Sequence, residues 1–389
     1  MHYLRKLKYT SLFNLLKNNY FIIVFLIVII FILYNKINIF LTLFLMIYFG
    51  YLCKKSLKLS IIIVSIIALI FINFSVRLFI QNRSFQKDFD KIGKVIKIKK
   101  ANTSYQVTFK VGLGKIIAYS DKYLRCGDIY HLKGELSKGS IAHYRGGFNY
   151  NHYLTYQNVI GILSIENIDY VKKGFSIYQI NEIVNNYFNK VLKTKSSSLI
   201  KALTIGNKND LEEELQKDIS NVGISHLFVI SGLHINIIAM CIRFMLKKFH
   251  LKEHVINIFT IIILFIYFFI TGLLISVLRV IISYILKLIN KIFNYQLSGV
   301  DIICINIILV LLVNPFYIYQ YSFILSYIIS FSIIISNNLL TTFSKYQFFI
   351  TSLKTSILSL FVTLPIISNI NPDINFLSIF YNILYIPFV

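Results

Sequence analysis

Three kinds of spacing follow one another along this chain. Near the start, 21–33, 40–52 and 59–72 are almost unbroken runs of Ile, Leu and Phe. Such runs approach the roughly 20 apolar residues that a bilayer crossing needs. They read as helices despite their β-branched content, because in lipid each backbone group must find its partner within its own segment. Three spans are expected over residues 1–80. From about 83 the period becomes two: Tyr105, Val107, Phe109 and Val111 alternate with Gln106, Thr108 and Lys110. Residues 95–99, 115–119 and 128–136 also read as strands, with turns at Gly112, Gly114 and Cys126-Gly127. Several short strands within 81–172 predict a small β-barrel, an OB-like Greek key being the natural form.

Over 173–224 the pattern is helical and amphipathic, with Ile177, Ile180, Ile183 and Val184 on one face. Asp210-Leu-Glu-Glu-Glu reads as a helix start, its carboxylates complementing the positive end of the dipole. From 225 to 389 long apolar runs resume, 256–270 the clearest, and six or seven further spans are expected. The fold class predicted is a polytopic α-helical membrane protein carrying an extracytoplasmic OB-like β-barrel.

Composition strengthens the membrane reading. Hydrophobic residues make up 56% of the chain and charged ones 14%, more apolar surface than a soluble domain of this length can hide. The formal net charge of +24 changes the picture further. Arg5, Lys6, Lys8 and Lys17, then Lys54, Lys55 and Lys58, mark cytoplasmic ends by the positive-inside rule. The segment after the third span is then extracytoplasmic. Between 81 and 195 it carries 19 basic and 8 acidic residues, an excess free to serve a polyanionic partner. A solvated lysine-rich surface is the plain alternative. The four cysteines, at 53, 126, 241 and 304, show no metal spacing, and Cys126 has no partner for an internal disulfide within 81–172. No cleavable signal peptide is expected, since the first run lacks a small-residue cleavage site and a second span follows at once.

Two stretches carry candidate chemistry. His226-Leu-Phe-Val-Ile-Ser231-Gly232-Leu-His234 places polar residues at the start of a span, where they are costly unless they face a partner or a wet cavity. His143-Tyr144-Arg145-Gly-Gly-Phe148-Asn-Tyr150-Asn-His152-Tyr153 combines a cation with aromatic rings, the ingredients of a single-strand grip. Its alternative is a strap docking the barrel onto the helices. Arg279 lies in an apolar stretch, and an intramembrane arginine is a functional candidate by default.

The first of these stretches closely resembles the signature of the ComEC family, inner-membrane channels for transforming DNA. Further elements are similar to that family: Gly146-Gly147-Phe148-Asn149-Tyr150, where an Asp often stands in place of Asn149, with Gly161 beyond; and Thr271-Gly272 with Ser276-Val277-Leu278-Arg279. Asn314-Pro315 with Ser322-Phe-Ile-Leu-Ser326 follows, blurred by Tyr321 and Tyr327, then Leu364-Pro365 and Asn382-Ile-Leu-Tyr-Ile-Pro387. The resemblance implies an external OB-like domain and passage of one DNA strand into the cytoplasm across the cell membrane. It also implies work alongside other competence proteins such as a DNA receptor and an ATP-driven translocase, with homodimer formation left open. On this reading the DNA path runs through Ser231, Gly232, His234 and Arg279, with His226 at its mouth. Tyr144, Arg145, Phe148 and Tyr150 would be external DNA contacts. The roles are positional and electrostatic, with no catalysis, cofactor or metal expected.

Many family members carry a C-terminal metallo-β-lactamase-like domain, and no His-x-His-x-Asp-His cluster is present here. The sequence stops at Val389 within an apolar run, so either a truncated gene or part of a longer protein is expected. Two rival readings are weighed. His250-Leu-Lys-Glu253-His254 satisfies a zinc-protease pattern, which would make the chain a membrane-embedded metallohydrolase. A small-solute transporter is the other, without a visible inverted repeat.

Overall fold

In the computed structural model, the residues described are 20–35, 57–101, 104–141, 147, 149–192, 194–208, 210–223, 230–339 and 347–368. The run at 40–52 and the motif at 382–387 lie outside them. Helices α1 (Tyr20–Asn35) and α2 (Leu57–Ser84) precede strands β1 (Asp88–Ala101), β2 (Ser104–Val111), β3 (Gly114–Ser120) and β4 (Ile129–Ser137). Helix α3 (Tyr150–Tyr156), β5 (Val159–Lys172), α4 (Tyr178–Val191), α5 (Thr194–Ile205) and α6 (Glu213–Asn221) follow. Among the described residues there then follow α7 (Gly232–Lys248), α8 (Glu253–Ile270), α9 (Ile275–Phe293), α10 (Gly299–Val313), a 3₁₀ turn (Pro315–Tyr319), α11 (Tyr321–Leu339) and α12 (Gln347–Ile367).

The strands close into a barrel of order β1-β2-β3-β5-β4. All pairs are antiparallel except β3 with β5. The expected small barrel is present, and its fifth strand is one the alternation did not reveal. Valines, isoleucines and aromatics at alternate positions point inward: Val95, Val107, Phe109, Ile116, Leu132 and Leu163 are all almost fully buried. A bulge between Val95 and Lys97 bends β1 so that it pairs with β2 along one half and β4 along the other. The carbonyls freed there are recovered locally. Gly127 N–H donates to Val95 O at 2.8 Å, and the buried Cys126 thiol lies 3.5 Å from Ile96 O. Burial, and then Glu182, push that thiol up to about 12, so it stays protonated.

Among the described residues two helices are long and apolar enough to cross a membrane, α2 with 28 residues and α8 with 18. Together with the barrel they are consistent with a partly membrane-embedded protein. Shorter apolar helices run over Gly299–Val313, Tyr321–Ile334 and Leu353–Ile367. The expected first-turn role of Asp210 is not seen: α6 begins at Glu213, with Glu213 and Glu214 as its acidic first turn. Asp210 instead meets the Nζ of Lys201, whose side chain is 2% exposed. A buried ammonium needs a countercharge more than a helix start needs a third carboxylate.

The chain divides into two compact units, residues 1–76 with 282–344 and residues 77–281 with 345–389. In the first, Phe74 packs edge-to-face on Phe31 and Phe316, at 5.0 and 5.3 Å between centroids. Polar groups there are satisfied across helices. Tyr327 donates to Asn306 Oδ1 at 2.6 Å and Asn306 Nδ2 donates to Ser283 Oγ at 2.7 Å. In the Asn-Pro element, Asn314 ends α10 and its side chain accepts from Phe316 N–H, with Pro315 at the first position of the 3₁₀ turn. In the second unit, Gln81 near the end of α2 donates to Thr155 O at 3.0 Å and Asn158 Oδ1 at 2.9 Å. One hydrogen-bonded glutamine thus joins a membrane-length helix to the barrel.

Candidate functional site

Two constellations emerge, both in the second unit. The first forms where α7 starts against α9. Ser231 caps α7 with an extended backbone, and its hydroxyl accepts from the His234 N–H. His234 reaches back, and its Nδ1 accepts from the Ser231 backbone N–H at 3.1 Å. This is a capping box with histidine in the usual place of glutamate. Because Nδ1 is an acceptor, the neutral ring carries its proton on Nε2, directed away from the cap. The Ser-Gly-x-His spacing is thereby explained as a helix start.

Gly232, the first residue of α7, has a further role. A Cβ placed there would lie 2.5 Å from Arg279 Nη2, so the half-buried guanidinium rests directly on the glycine. A cation is thus held at the positive end of a helix, where the dipole opposes it. A helix N-terminus and a guanidinium at one point together favour negative charge. The sequence placed Arg279 in an apolar span. In the structure it occupies the first turns of α9, which carries Lys287, Asn290 and Lys291 further along.

Other segments converge on this junction. Gly206, with φ +70°, has Leu274 and Ile230 at 3.2 and 3.3 Å from a hypothetical Cβ. Ala202, Ile205 and Ile230 are buried. Elements separate in sequence, around 202–206, 230–234 and 271–279, therefore meet in one place. His226 lies outside the described residues.

The second constellation is on the barrel. Of the external contacts expected from the sequence, Tyr144, Arg145 and Phe148 lie outside the described residues. Tyr150 opens α3 behind Asn149, whose side chain accepts from His152 N–H at 3.0 Å. Asn and Asp are equally good caps, which rationalises either residue at this position. The Tyr150 and Tyr153 rings stack, 6.0 Å apart and 16° from parallel. Burial, then Tyr119, then Tyr153, raise the Tyr150 pKa, which puts Tyr119 of β3 within electrostatic reach of the pair.

Beside these tyrosines lies a feature that sequence reasoning missed. Lys110 of β2 stands opposite Lys94 of β1 on one side and Lys115 of β3 on the other. Phe109 of β2 is buried inside the barrel, so its neighbour Lys110 points outward. The next rows of this outer face are Lys97–Thr108–Ile117 and Lys99–Gln106–Tyr119. Neither β2 nor β3 contains an Asp or Glu. Burial, followed by the like charges of Lys99 and Lys115, lowers Lys97 from 10.5 to about 8. Lys115 is lowered by burial and by Lys110. Lys97 still exposes part of its side chain, and the neighbouring cations add to the effect of burial. Like charges facing across strands are destabilising on their own.

The zinc-protease pattern is dispersed among structural contacts. Glu253 pairs with Arg243, and His250 sits in a left-handed turn between α7 and α8 at φ 55°. Among the described residues no group of three or more His, Cys, Asp or Glu is placed to hold a metal ion.

Residues 203–389 match the family described as "Competence protein". The chain is similar to ComE operon protein 3 of Bacillus subtilis (strain 168), 27% identical over 274 residues, 68% of this chain and 34% of that protein. It is also similar to the uncharacterized protein MG316 of Mycoplasma genitalium, 29% identical over 217 residues, 54% of this chain and 55% of its relative. The MG316 homolog of Mycoplasma pneumoniae is 30% identical over 167 residues, 43% and 42% of the two chains. The chain thus spans between about a third and about half the length of these curated relatives. No solved structure matches it. The resemblance to ComEC-type competence proteins read from the sequence is therefore shown, and the family match lies over 203–389.

Proposed function

We propose that this chain is a multi-pass component of the cytoplasmic membrane that passes single-stranded DNA into the cell during natural transformation. Residues 1–80 and 225–389 would embed in the bilayer, 81–172 would form the extracytoplasmic barrel, and 173–224 would connect them. The observation that carries the reading is the Arg279 guanidinium seated on Gly232 at the start of α7. It brings a guanidinium to a helix N-terminus inside the segment that matches the competence family. The barrel supports the same reading. OB barrels commonly bind oligonucleotides on the face of strands 2 and 3 and through the loop between strands 4 and 5. Here those are the lysine rows and the segment that ends at Tyr150. This is an analogy of fold, strengthened by the charge and rings that stand there.

On this reading Ser231 and His234 fix the junction, Arg279 meets phosphates in transit, and Tyr150 with Tyr153 offers a stacking platform. The roles are electrostatic and positional. The DNA receptor that delivers the strand and the ATP-driven translocase that draws it in would be separate proteins. The full chain in planar bilayers provides the test. A single-stranded oligonucleotide added on the barrel side should occlude the ionic current, and Arg279→Gln should shorten the occlusions. A conductance indifferent to DNA overturns the assignment.

A further inference from the structure

Helix α4 is amphipathic. Its polar row, Asn181, Asn185 and Asn189, recurs every fourth residue and is hydrogen-bonded to neighbouring segments. Asn181 Nδ2 donates to Ile270 O at 2.6 Å, Asn207 donates to Asn185 Oδ1 at 2.8 Å, and Lys201 Nζ donates to Asn189 Oδ1 at 2.7 Å. Gln179 and Glu182 bind the barrel, through Cys126 O and the Tyr123 hydroxyl. The opposite row is Ile183, Tyr187 and Val191, also at i+4 spacing, and these side chains are 66%, 62% and 60% exposed. Phe175, just before the helix, is 68% exposed. No residue of the helix is buried. A helix packed on a water-soluble protein turns its apolar row inward and its amides outward. Here Ile180, Val184 and Phe188 are half-buried, yet a second apolar row, Ile183, Tyr187 and Val191, stays outside, so that outer row meets something other than water.

The contact at Ile270 says what that is. Ile270 is the last residue of α8, one of the two membrane-length helices. Its flank carries Ile258, Phe259, Ile262 and Ile266, all exposed. Asn181 therefore fixes α4 at the depth where this helix leaves the hydrocarbon. Lys172, Lys173 and Lys190 are exposed around it, in the arrangement by which interfacial helices meet anionic headgroups. We infer that α4 lies along the membrane surface, its Ile183–Tyr187–Val191 row sunk into the headgroup–acyl boundary on the barrel's side. The barrel, clamped to the same helix through Gln179 and Glu182, is thereby held at a set height above the bilayer. The inference rests on the reading of α8 as a membrane span.

The experiment uses the full chain, with its four native cysteines replaced by serine, in vesicles of phosphatidylcholine and phosphatidylglycerol. An environment-sensitive fluorophore is attached in turn at Ile183→Cys, Asn186→Cys and Ile262→Cys, and quenched by lipids bearing a doxyl group high or low on the acyl chain. The label at 183 should be quenched at least twofold more by the shallow quencher than by the deep one. The label at 262 should show the opposite order, and that at 186 little quenching by either. If 262 is quenched and 183 is not, the interfacial helix is wrong while the span stands. If 262 escapes quenching, the span itself fails. If 183 is shielded without lipid quenching and becomes exposed on dilution, a second copy of the chain covers the row, and the membrane assignment is overturned.

Discussion

At Gly232 a methyl group would sit 2.5 Å from Arg279 Nη2. The obstacle is the far end of a flexible side chain, so Gly232→Ala should push the guanidinium aside without unfolding the helix. Alanine also gains up to ~1 kcal/mol of helix propensity over glycine. The expected outcome is an almost unchanged melting temperature together with a loss of DNA-dependent current block. Ser231→Ala should behave differently. It removes a capping oxygen, a loss of ~1 kcal/mol that lowers the melting temperature by a few degrees and that threonine should largely restore.

Lys97 adds a pH dependence. With its pKa lowered to about 8 by burial and by its lysine neighbours, the free barrel sheds this charge well below the usual 10.5. Between pH 8 and 10.5 the unfolded chain holds a proton that the folded barrel lacks, so folding stability rises with pH through that window. Oligonucleotide binding should move the opposite way. A phosphate beside Lys97 favours its protonated form, so affinity should fall roughly two- to five-fold above pH 8, as for one exposed ion pair. Binding at pH 9 should take up protons, which calorimetry in buffers of different ionisation enthalpy measures.

The lysine rows belong to the scale of the strand pair. Lys110 faces Lys94 on one side and Lys115 on the other, an arrangement that costs folding energy and is tolerable where a polyanion neutralises it. Lys110→Gln should therefore raise the barrel's denaturation midpoint, with a gain of ~0.5 kcal/mol, while weakening DNA binding. Replacing Lys94, Lys110 and Lys115 together should reduce the salt slope of single-strand binding by about 2, at ~0.7 for each phosphate that is no longer neutralised. An unchanged slope would assign those lysines to solvation alone.

The rows were not legible in the sequence. Each lysine could be read as polar and outward from the alternation around Phe109 and Ile116, but rows exist only once register is set. The register here depends on the bulge at Val95–Lys97 and on the tight turn from Val111 to Gly114. β5 escaped for a related reason. Its first half is buried and its second half exposed, so no single period runs through it. The Ser231–His234 spacing was visible and chemically suggestive, yet its capping box and the seat that Gly232 gives Arg279 are tertiary facts.

For the molecule as a whole, the consequential step is how a membrane-length helix hands position on to a barrel. Among the polar residues in the last part of α2, Asn73 and Gln81 do different work. Asn73 donates to Leu312 O at 2.7 Å within the helical unit. Gln81 is 5% exposed and bridges Thr155 O and Asn158 Oδ1. Asn158 is itself left-handed at φ 61°. It holds the start of β3 through Leu113 O and the Lys115 N–H. One amide thus bridges two acceptors ahead of β5, of which Thr155 O also accepts from the Asn158 N–H at 2.9 Å. Gln81→Leu keeps the volume and the apolar character of the helix but removes the donor from two half-buried acceptors, a loss of ~1 kcal/mol. The barrel's core, Phe89 through Leu163, does not involve Gln81, so its own strands should keep their protection. Hydrogen exchange followed by mass spectrometry should show faster exchange confined to 113–115 and 150–160 in this variant, with β1, β2 and β4 unaltered. Exchange rising across the whole barrel would instead make Gln81 part of the domain's folding core, and exchange unchanged everywhere would remove it as the joint. The localised result would identify a hinge at the point where α2 meets the barrel, and DNA delivered to the lysine face would pull on that hinge.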